Sequence, residues 1–177
     1  MSRRKGLFVR ALLPLLLIPP SGLRAQQPPA CEDVAGFHEL DFWIGSWDVY
    51  VGDRQVGTNH IEKILNGCAI MEHWSAMDGG TGKSLFFYQP LTDTWKQVWV
   101  TGHATRTAGV KEKTMVARAE TEVRFEGHVP VPGGEPVLDR TTLTLQPDGT
   151  VRQLIEVDLP GEGWRTMFEA IYRQSEP

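Results

Sequence analysis

The chain has 177 residues, of which 41% are hydrophobic and 23% charged, with 22 acidic against 18 basic side chains and a formal net charge of −4. That balance describes a globular protein rather than a disordered or fibrous one. An acidic chain without a basic patch excludes the binding to nucleic acid and anionic lipid that clustered Lys and Arg support.

Residues 1–25 begin with Arg3, Arg4, Lys5 and Arg10, continue through the apolar stretch Ala11 to Ile18 and end on Leu23-Arg24-Ala25. This is the layout of a secretory signal peptide. The apolar run is too short for a helix across a hydrocarbon core of roughly 30 Å, and Pro14, Pro19 and Pro20 interrupt it. Once the signal is removed, no membrane attachment is expected, and the product is periplasmic or secreted. Five basic residues, Arg3, Arg4, Lys5, Arg10 and Arg24, leave with it, taking 18 basic residues to 13 against 22 acidic, a mature charge of −9. Residues 26–177 then have the size of one domain.

Cys31 and Cys68 are the only cysteines. In an oxidising compartment such a pair commonly becomes a disulfide, here tying the N-terminal segment to an early strand. The chain-entropy model gives closure of such a loop about 3–4 kcal/mol. Spacing alone also allows two free thiols.

Glu32 to Phe42 reads as a short helix or turn carrying Phe37, Leu40 and Phe42 inward. Beyond it the hydrophobic period becomes two. Expected strands follow at Ser46 to Val51, Val56 to Leu65 and, after the hairpin signal Asn66-Gly67, Cys68 to Met77. Next come Lys83 to Gln89 and Thr94 to Thr101, then a less regular stretch from Gly102 to Lys113. Thr114 to Thr121, Glu122 to Val129, Val137 to Gln146, Thr150 to Leu159 and Trp164 to Arg173 complete the pattern. Many short strands joined by sequential turns predict an all-β fold, an antiparallel up-and-down calycin/lipocalin-like barrel of about 8–10 strands with a short N-terminal helix or turn.

Several short motifs then stand in one order: Phe42-Trp43-Ile44-Gly45-Ser46-Trp47-Asp48-Val49, Gly67-Cys68 with Glu72 and Trp74, Gly82-Lys83-Ser84-Leu85 with Tyr88, Trp95-Lys96-Gln97-Val98-Trp99-Val100, and Asp148-Gly149 with Val151-Arg152-Gln153. In these the chain resembles the exported bacterial DUF1579 family over nearly all its mature length. The resemblance implies a lipocalin-like barrel and brings no established activity. The chain departs from the family pattern at Thr101-Gly102-His103-Ala104, where an Asp-x-x-Gly turn is expected.

In a small barrel, alternate residues of each strand face a lumen that is either packed or holds one ligand. The faces Trp95/Gln97/Trp99, Trp164/Thr166/Phe168/Ala170/Tyr172, Val151/Gln153/Ile155 and Cys68/Ile70/Glu72/Trp74 are the expected interior. The candidate ligand-binding residues are Trp47, Glu72, Trp74, Tyr88, Trp95, Gln97, Trp99, Gln153 and Phe168. Apolar walls with sparse polar groups suit a small-molecule ligand. A filled core is the alternative, with Glu72 paired to Arg140 or Arg152. Glu72 among Ile70 and Trp74 is also a weak catalytic candidate, a carboxyl whose raised pKa would suit acid–base lyase or isomerase chemistry with Arg140 holding a substrate carboxylate. The face of Thr141, Leu143 and Leu145 would, however, turn Arg140 outward unless a bulge intervenes.

His38, His60, His73, His103 and His128 form no metal-ligand spacing, so neither a metal nor a cofactor is implied. Gly79-Gly80-Thr81-Gly82-Lys83-Ser84 lacks phosphate-loop spacing and precedes a strand. Three readings therefore stay open: a small-molecule binding protein, an acid–base enzyme, and a filled-core interaction module. The oligomeric state is not legible.

Overall fold

The computed structural model describes residues 28–103 and 109–176, so the expected signal peptide and Ala104 lie outside the described residues. Ten antiparallel strands close into one barrel: β1 (Gly45–Val51), β2 (Arg54–Ile64), β3 (Ala69–Ala76), β4 (Thr81–Gln89), β5 (Thr94–Thr101), β6 (Val110–Ala119), β7 (Glu122–Val129), β8 (Val137–Leu145), β9 (Val151–Leu159) and β10 (Gly163–Gln174). Each strand pairs with its chain neighbours, and β1 closes the ring on β10 through Trp47 opposite Gln174 and Val49 opposite Tyr172. The architecture is the expected up-and-down, calycin-like barrel. Closure removes every unpaired strand edge.

The connections follow local chemistry. Between β2 and β3 the tight turn centres on Leu65 and Asn66, both left-handed, and the Gly67 amide bonds the Ile64 carbonyl at 3.1 Å. The hairpin is where Asn66-Gly67 marks it, with the left-handed pair one residue earlier.

Three 3₁₀ turns, Cys31–Asp33, Ala35–His38 and Asp41–Trp43, precede β1. They carry Phe37, Leu40 and Trp43 into one end of the barrel, with Phe42 only partly buried, so the third inward side chain is Trp43. The Cys31–Cys68 disulfide holds this segment against the start of β3, with the Cα atoms 5.1 Å apart.

Trp43 meets Phe86 edge-to-face at 5.3 Å, and the Trp47 indole donates to the Trp43 carbonyl at 3.0 Å. Trp95 donates to the Gly36 carbonyl at 2.9 Å. A ten-stranded barrel is wider than the eight-stranded one that ordinary side chains fill. Large aromatics together with the inserted turns fill this end.

Three register shifts interrupt the ladders, one in β9–β10, one in β6–β7 and one in β1–β2 between Val49 and Tyr50. The β9–β10 register slips between Thr166 and Phe168, leaving Met167 exposed. Phe168, Ala170 and Tyr172 therefore face inward as expected, but Trp164 and Thr166, opposite Asp158 and Glu156, turn outward. The expected inward face of β10 is corrected by that one-residue bulge, which inverts the side-chain alternation. The outward Trp164 ring lies 3.7 Å from the Arg140 guanidinium carbon. The second irregularity, between Met115 and Ala117 on β6, sits at the plugged end.

Candidate functional site: the open half of the barrel

Along β3, β5, β6 and β9 the inward residues change character in the same order. Beyond the apolar Ile70, Trp95, Met115 and Val151 come Glu72, Gln97, Lys113 and Gln153, and then Trp74, Trp99, Lys111 and Ile155. Plug, polar floor and aromatic wall thus succeed one another at the two-residue repeat of a strand, about 6.6–6.8 Å per step. Above the floor is a cavity of about 220 Å³ lined by Glu72, Trp74, Gln97, Trp99, Lys111, Lys113, Thr141, Gln153, Ile155, Phe168 and Tyr172.

Six of the nine sequence-derived candidates, Glu72, Trp74, Gln97, Trp99, Gln153 and Phe168, meet on this wall. Trp47, Trp95 and Tyr88 do not reach it and are corrected to the plugged end. Trp47 and Trp95 spend their indole N–H groups on the carbonyls of Trp43 and Gly36. Tyr88 packs on Phe37 with ring centroids 5.0 Å apart and donates to Asp93 at 2.5 Å. These three aromatics share the barrel's inner face with the wall residues, and alternation alone does not say at which depth a residue sits.

The indoles of the wall rest against glycine. A Cβ on Gly82 would lie 2.2 Å from the Trp99 ring, and one on Gly57 would lie 2.5 Å from that of Trp74. Only a residue without a side chain lets each indole lie flat on the backbone. Phe168 closes the wall edge-to-face on Trp74 at 6.4 Å.

The floor holds two polar networks. In one, Asn59 donates to Glu72 Oε1 at 2.7 Å, Ser84 donates to Glu72 Oε2 at 2.5 Å, and the Gln97 amide donates to Ser84 at 3.1 Å. In the other, Lys113 donates to Asp139 and, at 2.5 Å, to Thr141, while Lys111 donates to the second Asp139 oxygen at 2.6 Å. Tyr172 donates to Gln153 at 2.7 Å. The buried Oε1 of Gln97 and Oδ1 of Asn59 have no partner among the described residues.

Burial pushes the Glu72 carboxyl up, against the pull of Ser84, Asn59 and Lys113. Burial likewise lowers Lys113 to about 8, against Asp139. Tyr172 is raised by burial and by the neighbouring Glu72 charge. The arginine partners considered for Glu72 lie elsewhere, since Arg140 bonds Glu126 and Arg152 bonds Glu169, each at 2.8 Å. Both sit on the outward face, so Arg140 cannot anchor a substrate in the lumen.

The proton balance of Glu72 has a measurable consequence. Its folded pKa stands above the unfolded 4.5, so the folded state holds more protons above that pH, and stability falls as pH rises toward the folded value. Glu72→Gln removes this loss. The variant is expected to match the wild type near pH 4 and to exceed it at pH 7, because the amide carries no charge to bury as the pH rises. Urea midpoints at the two pH values check it. A variant that is weaker than the wild type at pH 7 would contradict the raised carboxyl.

Lys111, Lys113, Asp139, Asn59 and Ser84 escaped the sequence reading. On β6 the inward Lys111 and Lys113 alternate with the outward Val110, Glu112 and Thr114, so neither face of this stretch is apolar. The signal that could have found them is Lys-x-Lys-x-Met ahead of the recognised strand. Among the described residues, no group of three His, Cys, Asp or Glu is placed to hold a metal ion. No protein-family model matches the chain, and no curated protein sequence is similar to it.

Proposed function

We propose that this protein is an exported, single-domain binding protein that holds one small, mostly apolar molecule in the open half of its barrel. The observation that carries the reading is the change of lining within one lumen. One half is packed with aromatics, while the other leaves about 220 Å³ between aromatic walls and a polar floor with an unpartnered Gln97 oxygen. Apolar walls supply burial, and a few fixed polar groups supply orientation. The volume exceeds the roughly 150 Å³ of an apolar cavity that takes benzene and falls below the roughly 300 Å³ at which drug-sized sites begin. Membership of the exported DUF1579 family, carried by the motifs described above, accompanies this reading.

Glu72 favours a second reading. A carboxyl whose pKa burial raises, near a lysine lowered to about 8, pairs a potential acid with a potential base, as proton-transfer chemistry requires.

Native mass spectrometry of the protein purified from its own host's envelope tests the first reading. A mass excess that disappears on denaturation is expected, and Trp99→Ala should weaken rebinding of the released molecule more than about tenfold, as loss of a central aromatic contact does. No excess under gentle conditions would move the protein to the filled-core class.

A further inference from the structure

The charges around the cavity do not balance. Lys111 and Lys113 both face Asp139, and each takes one of its two oxygens, so that carboxylate is fully engaged. Glu72, the other acid at the wall, is held toward its neutral form by burial. Two ammonium groups thus share one carboxylate, an excess of one positive charge within this cluster, and uncompensated charge at a partly buried site is costly.

The lysines also keep unused donors. An ammonium has three N–H groups. Among the described residues Lys111 spends one, on Asp139, and Lys113 spends two, on Asp139 and Thr141. Gln97 stands directly opposite Lys113 across β5 and β6, and Trp99 stands opposite Lys111. A buried acceptor without a partner, spare ammonium donors and a flat indole are therefore neighbours on one patch of wall.

Deepening the binding reading above, and resting on it, we propose that the ligand class is a small aromatic carboxylate. Its ring packs against Trp74, Trp99 and Phe168, its carboxylate takes the spare donors of Lys111 and Lys113, and a hydroxyl or N–H on the ring donates to Gln97 Oε1. The bound anion neutralises the surplus charge, and the ring donor satisfies the orphaned oxygen. A cationic ligand would add to the surplus, and a neutral apolar one would leave the spare ammonium donors and Gln97 Oε1 unmet. The volume limits the ring system to one ring or two fused rings.

Calorimetric titration of the purified protein at pH 7 with 3-hydroxybenzoate, its neutral amide 3-hydroxybenzamide, and benzoate tests the assignment. The acid should bind about tenfold or more tightly than the amide, because hydrogen bonds to a charged acceptor are roughly twice as strong as neutral ones. Benzoate, which lacks the ring donor, should fall severalfold below the hydroxy acid. Lys111→Met should erase the preference of acid over amide, and Lys111→Arg should restore it. Lys111 is part-exposed, which makes it the safer of the two lysines to replace.

Equal binding of acid and amide by the wild type would overturn the anion assignment while leaving a hollow, ligand-binding barrel intact. An acid preference that survives Lys111→Met would overturn it as well. Binding of none of the three probes at millimolar concentration would also reject the class, and native mass spectrometry would then decide separately whether the barrel carries anything.

Discussion

Trp43→Ala is expected to destabilise the protein by about 3–5 kcal/mol, the range for truncating a fully buried aromatic. Trp43 has no exposed surface, and its ring meets Phe86 at 5.3 Å and Tyr172 at 6.4 Å. The effect belongs at the upper end because the neighbours cannot collapse into the void. Phe86 is fixed on Phe125, and Tyr172 is held between Trp47 and the hydroxyl bond to Gln153. Tyr172 also lines the cavity, so loosening the plug reaches the cavity through one side chain. Urea unfolding of variant and wild type measures the loss, and Trp43→Phe, which keeps a ring, should recover more than half of it. A loss below about 1 kcal/mol for the alanine variant would mean that the plug contributes little, contrary to the packing described.

The strands of this barrel were legible because most of them keep one apolar face. Thr94–Thr101 shows Trp95, Gln97 and Trp99 on a single side, and the observed β5 has those bounds. β6 was not fully legible for the opposite reason. Its inward face carries Lys111 and Lys113, its outward face carries Val110 and Val116, and a period-two reading that expects apolar residues inside finds no strand before Thr114. The buried ion pair was hidden with it, since Asp139 and Lys113 are 26 residues apart and meet across β7, which lies between their strands.

The face of Trp164 was lost to a single bulged residue, Met167, which leaves no mark in composition. Depth along the lumen was also out of reach. Trp47, Trp95 and Tyr88 belong to the same inner face as Trp74 and Trp99, and the insertion of Phe37, Leu40 and Trp43 decides which end is filled. That insertion is a tertiary event, and alternation along a strand does not encode it.

Asp139→Asn is expected to cost about 3–5 kcal/mol at pH 6, because it strands a buried ammonium and removes the common acceptor of two lysines. Both Asp139 and Lys113 are nearly fully buried, so little solvent screening softens the loss. The pH dependence follows from the proton count. Lys113 sits at about 8 in the folded protein against 10.5 in the unfolded chain. Below 8 both states hold the proton and the group adds no slope. Between 8 and 10.5 the unfolded chain binds more protons, so stability from this group rises with pH.

Asp139 is what holds Lys113 as high as 8 against burial, and without it the folded value drops and the rise begins at lower pH. The gap between variant and wild type should therefore be widest near pH 6 and narrow toward pH 9. Urea midpoints across that range check the trend. Adding Lys113→Met to the Asp139→Asn variant should return a large part of the loss, since it removes the stranded charge and not merely the contact. A gap that is independent of pH, or a double variant no more stable than the single one, would show that Asp139 acts through packing alone. The charge surplus from which the anionic ligand is inferred would then lose its basis, because a Lys113 that is a neutral amine in the folded state brings no charge to a carboxylate.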